Sequence, residues 1–81
     1  MDPQATLRDL LAAVGDRDWD RVEELSEALL TWVQNRGFPP ETMGPQSLGR
    51  GWHRAVTEFV CYLAKSQART ARKRRRTKGG A

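Results

Sequence analysis

Cysteine and histidine each occur once in this chain, and acidic residues almost vanish from its second half. The single Cys61 can close no disulfide within the molecule, and a reduced thiol inside an apolar helical run behaves as a small hydrophobe. A reducing compartment is expected. His53 lies eight residues before Cys61, about 12 Å along a helix, which is too far for the two to share one metal. With no second histidine or cysteine, neither a zinc site nor any other cofactor is expected. Apolar runs are short, none reaching the roughly 18–20 residues that cross a bilayer. Met1-Asp2-Pro3-Gln4 also lacks the basic and apolar regions of a secretory signal. These gaps lead us to expect a soluble, cytoplasmic protein, or a nuclear one in a eukaryotic cell.

The acids that are present lie at the front. Residues 1–46 hold nine acids and four bases, a balance of −5, whereas residues 47–81 hold ten bases and the lone acid Glu58, a balance of +9. Such asymmetry points to an anionic partner or to neutralisation of one half by the other. At 81 residues the chain has room for one domain. A chain of that size buries only about 60% of its unfolded surface, so a homodimer that shares core area competes with a monomer.

Three stretches carry helical periodicity. Asp2-Pro3 forms a capping start, followed by Leu7, Leu10, Leu11 and Val14 on one face, with Gly15 as a left-handed stop. Asp16, Asp18 and Asp20 open a second helix, where acids favour the positive end of the dipole, and Asp20 with Glu23 has the spacing of a capping box. Its inner face is Trp19, Val22, Leu25, Leu29 and Val33, and Gly37 should end it after Arg36. Gly51 to Lys78 is the organising stretch. Trp52, Ala55, Val56, Phe59, Val60 and Leu63 form a wide apolar stripe, after which the chain turns cationic and seven of the ten residues from Arg69 to Lys78 are Arg or Lys. Between the second and third helices, Pro39-Pro40 and Gly44-Pro45 exclude regular structure. Phe38, Met43 and Leu48 should pin that crossover to the core.

The segment Gly15-Asp16, Trp19-Asp20, Val22, Leu25, Leu29-Leu30 resembles the second helix of a tetratricopeptide repeat, with its Gly-Asp-aromatic opening. It departs from that pattern by inserting Arg17-Asp18, by placing Val22 where a small residue belongs, and by occurring once. The resemblance implies a helical hairpin and no more.

The expected fold is therefore all-α: a small three-helix bundle, or a helical hairpin plus a third helix, over residues 1–68. Helices are expected near 3–14, 18–36 and 48–70, and residues 69–81 form a disordered basic tail. The expected core is Trp19, Val22, Leu25, Leu29, Val33, Trp52, Val56, Phe59 and Leu63. Asp16, Asp18, Asp20 and Glu27 match a calcium-loop register, but Arg21 stands where such a loop needs glycine. A chain this small does not easily build a deep catalytic pocket, and no enzymatic activity or small-molecule substrate is expected.

Function is expected at the basic end. Arg69, Arg72, Lys73, Arg74, Arg75, Arg76 and Lys78 could neutralise phosphates of a nucleic acid or ribonucleoprotein without reading bases. No aromatic lies among them to stack on a base. Arg50, His53 and Arg54, beside Gly49 and Gly51, form a candidate anion site at the start of the third helix. An intramolecular alternative pairs the tail with the acids. If the second and third helices pack antiparallel, Lys65, Arg69 and Arg72 fall beside Asp16, Asp18 and Asp20. The competing function is a protein–protein adaptor, dimeric through a helix face or the Phe38–Leu48 crossover, whose tail only solubilises.

Overall fold

The computed structural model describes residues 1–80, with side chains through Lys73. Three α-helices follow one another: α1 (Pro3–Gly15), α2 (Trp19–Gln34) and α3 (Arg50–Gly80), with a single 3-10 turn at Gln46–Leu48. The fold is all-α. No helix among the described residues is long and apolar enough to cross a membrane. Of residues 69–81, expected as a disordered basic tail, Arg69 to Lys73 instead continue α3 beyond its expected end near residue 70, and the side chains from residue 74 onward lie outside those described.

α1 starts as its sequence dictates. The Asp2 carboxylate accepts from the amides of Gln4 and Ala5 at 3.1 and 3.2 Å, so two of the donors that a helix start leaves unpaired are satisfied. Asp18, not Asp20, caps α2, accepting from the Arg21 amide at 3.4 Å. That leaves Asp20 and Glu23 available to α3 instead of to a capping box. The helix stops also differ from expectation. Arg17 and Arg36 take the left-handed conformation, at φ 57° and 66°, while Gly15 closes α1 itself. Gly37 serves another purpose, because a Cβ there would meet the Trp32 ring at 2.5 Å. Its missing side chain makes room for the indole, which donates to the Phe38 carbonyl at 2.9 Å.

α2 is the central element. Both α1 and α3 pack on it and scarcely touch one another. The core joins Leu7, Leu10 and Ala13 of α1, Val22, Leu29 and Leu30 of α2, and Cys61, Ala64 and Ala68 of α3, with Trp19 and Leu25 packed at its edge. This corrects the expected core on α3. Its buried face is His53, Thr57, Cys61, Ala64 and Ala68, a stripe of small and polar residues with helical spacing. Trp52, Phe59 and Leu63 lie outside, and Val56 is half-buried. Small side chains let the α2 and α3 backbones approach closely, and the hydroxyl of buried Thr57 is satisfied by donating to the His53 carbonyl one turn earlier at 2.7 Å.

Burial fixes the character of the one thiol. Removal from water, opposed by Lys65 and reinforced by Glu58, raises Cys61 from an ordinary 9.0 to about 11. Because its folded value lies above its unfolded one, the neutral thiol's contribution to stability is complete below pH 9 and is lost as pH climbs toward 11. Cys61 should therefore react with a disulfide reagent at pH 8 only as fast as the protein opens. Full and immediate labelling of the native protein would contradict this burial.

Candidate functional site

α3 is apolar over more than half its circumference between Trp52 and Ala64, and α2 covers only part of that arc. The uncovered part holds the bulk: Trp52 is 45% exposed, Phe59 68% and Leu63 50%. Tyr62 is exposed along their edge. Beside this stripe, between α1 and α3, lies a groove of about 390 Å³. Leu7 and Leu11 of α1, Val56 and Val60 of α3, and Met43 of the crossover line it. Leu11 and Met43 are exposed. Single exposed apolar residues are ordinary, whereas several large ones at helical spacing on one side of a helix make that side a candidate interaction surface.

The crossover that ends the groove is held by fully buried Pro40 and by hydrogen bonds, not by the apolar residues expected to pin it. Phe38, Met43 and Leu48 are exposed. In their place the buried His53 ring acts as a latch. Its Nδ1 accepts from the Thr42 amide at 3.1 Å and lies 2.9 Å from the Thr42 hydroxyl, and its Nε2 lies 3.2 Å from the Pro45 carbonyl. An amide can only donate, so Nδ1 is the acceptor and the ring proton sits on Nε2, directed at Pro45. The Trp52 indole donates to the Met43 carbonyl at 2.9 Å, and the Gln4 amide group bridges the Glu41 backbone at 2.9 and 3.3 Å. The crossover is thereby tied to both α1 and α3.

This use of His53 bears on the candidate anion site. Arg50, His53 and Arg54 share one end of α3, but the structure does not bring them to one point. His53 faces inward with both ring nitrogens engaged, Arg54 pairs with Glu58 at 3.0 Å, and only Arg50 stands in solvent without an ion partner among the described residues.

At the far end the two halves of the chain meet. α3 runs antiparallel to α2, and Arg72 binds both Asp20 and Glu23, the latter at 2.9 Å. Lys65 reaches Glu27 at 3.7 Å. The partners are thus the acids on the flank of α2, whereas Asp18 is occupied as a cap. Exposed pairs of this kind contribute about 0–1 kcal/mol each, so they orient α3 more than they stabilise it. Arg69 and Lys73 lie beside Arg72, exposed, and neither makes an ion pair among the described residues. Of the seven expected phosphate contacts, Arg72 is committed within the molecule, Arg69 and Lys73 are accessible, and the side chains of Arg74, Arg75, Arg76 and Lys78 lie outside the described residues.

The outer face of α3 is the site that the sequence did not single out. Its signal was present in the width of the apolar arc, which exceeds what one neighbouring helix can cover. Fold and surface together define a small three-helix protein with an uncovered apolar helix face that leads into a cationic end. No protein-family model matches this chain, and no match to it was found among the curated proteins or the solved structures.

Proposed function

We propose that this protein is a non-enzymatic interaction module that docks a protein partner on the outer face of α3. The observation that carries this reading is the exposure of Trp52, Phe59 and Leu63 on the side of α3 away from α2. Large aromatic and aliphatic side chains at helical spacing are the anchors of helix-face recognition. The test is site-specific photocrosslinking in cells with Phe59→p-benzoylphenylalanine, followed by nuclease treatment. A discrete, nuclease-resistant protein adduct is expected, and its absence would refute docking at this face.

A second reading places the protein on nucleic acid or a ribonucleoprotein through its basic end. It is favoured by the exposure of Arg69 and Lys73 without ion partners among the described residues. In that case affinity for mixed-sequence RNA and DNA falls steeply with salt and is lost on deleting residues 69–81. Affinity that does not change with salt, or that survives the deletion, would argue against it. The two readings are compatible in one molecule, since the apolar face and the cationic end occupy successive stretches of α3.

A further inference from the structure

We infer that the occupant of the outer α3 face is a second copy of this chain, packed antiparallel with Phe59 near the two-fold axis. The inference rests on the docking reading above and names its partner. Three observations lead to it.

The first is area. Trp52, Phe59, Tyr62 and Leu63 of α3, with Leu11 and Met43 at the groove, together expose roughly 600–700 Å² of mostly apolar residue surface, given their exposed fractions and the surface such residues carry. A stable pairwise interface takes about 800 Å² from each partner, so the outer α3 residues and the groove beside them together come near what a dimer interface takes. The same face is needed from both copies, as a two-fold axis requires.

Second, charge sets the direction. A parallel pair would lay the seven cations of Arg69–Lys78 along the seven of the second copy, whereas an antiparallel pair sends the two cationic ends to opposite extremes. Antiparallel helices also oppose their dipoles.

Third, the groove beside α3 is open. α1 and α3 point the same way along α2, and a two-fold axis that passes Phe59 and lies across both helices brings α1 of the second copy alongside α1 of the first. Leu11, exposed in one chain, then meets the second copy's apolar face and the groove closes as a four-helix layer. The rim there carries Arg8 and Asp9 side by side, 3.5 Å apart and exposed. Two-fold symmetry sets such a neighbouring pair against its own complement.

The experiment is sedimentation of the full chain over a concentration series, paired with a distance measurement. The wild type should sediment as a dimer. Phe59→Glu and, separately, Leu63→Glu should weaken self-association about 100-fold or more, as loss of a central anchor does, with helical circular dichroism unchanged because both side chains are largely exposed. A spin label on Thr70→Cys, which the buried Cys61 does not compete for, should report a separation of about 33 Å. This is the rise over twenty-two residues about an axis at Phe59. A separation near 10 Å, the spacing of side-by-side helices, would overturn the antiparallel arrangement. A wild type that stays monomeric at every concentration would overturn the second copy as occupant. Docking would then stand if the Phe59 photocrosslink captures a protein of another mass, and fall with the inference if it captures none.

Discussion

Leu29→Ala is expected to remove about 2–5 kcal/mol of unfolding free energy, the usual range for truncating a fully buried leucine and leaving part of the space empty. Leu29 has no exposure and lies in the cluster where all three helices contribute. A folded chain of this length holds only about 4–12 kcal/mol in total, so the variant should be partly unfolded at 37 °C. Urea titration followed by circular dichroism measures the loss. Leu63→Ala is the informative contrast, since the same chemical change on the half-exposed outer face removes far less area from contact. Measured at concentrations too low for association, its cost should be about 1 kcal/mol or less. Equal losses at the two positions would mean that α3 is rotated from the orientation described, with Leu63 in the core.

His53→Ala should cost about 2–4 kcal/mol and free the crossover between α2 and α3. Truncation deprives the Thr42 amide and the Pro45 carbonyl of their partner and empties the volume of a ring that is 4% exposed. A single unsatisfied group in such a place costs about 1–3 kcal/mol, and the lost packing adds to it. The effect should be local in character. Thr42 amide exchange should accelerate first, and limited proteolysis should move to residues 38–49 while α1 and α2 stay protected. In the wild type, the imidazole nitrogen signals should show the proton on Nε2. A proton resident on Nδ1 would be incompatible with the Thr42 amide bond, and the latch would have to be abandoned.

These predictions differ from what periodicity alone suggests, and the difference lies mainly in α3. Its apolar residues can be read as one stripe of large side chains, which places Trp52, Phe59 and Leu63 in the core. The same segment contains a second stripe, His53, Thr57, Cys61, Ala64 and Ala68, about a third of a turn away. Hydrophobic bulk ranks the first stripe higher. Packing chooses the second, because α2 already supplies Leu29, Leu30 and Val33 to the interface and the facing helix must then be slim. His53 could not be placed from sequence for a related reason, since its partners Thr42 and Pro45 lie eleven and eight residues away in a loop whose path no local rule specifies.

The cationic end divides in the same way. The intramolecular alternative, built on antiparallel packing and a rise of 1.5 Å per residue, set Lys65, Arg69 and Arg72 beside Asp16, Asp18 and Asp20. Arg72 does reach Asp20, but Lys65 reaches Glu27 and Arg69 makes no ion pair among the described residues. Which acids receive Arg72 depends on Asp18 being used as the cap, and that choice is made by the geometry of the α1–α2 turn, where Arg17 takes a left-handed conformation.

Sequence by itself determined the helical class, the start of α1 at Asp2-Pro3, the inner face of α2 and the irregular crossover. Each of these depends on short-range periodicity, capping or the placing of proline and glycine, which a chain carries without knowing its neighbours. Only the tertiary structure decided which side of α3 turns inward, what holds the crossover, and that the bulkiest side chains of that helix are left uncovered. Those outcomes depend on the space remaining once α1 and α2 have packed, a property of three helices together and of no one segment.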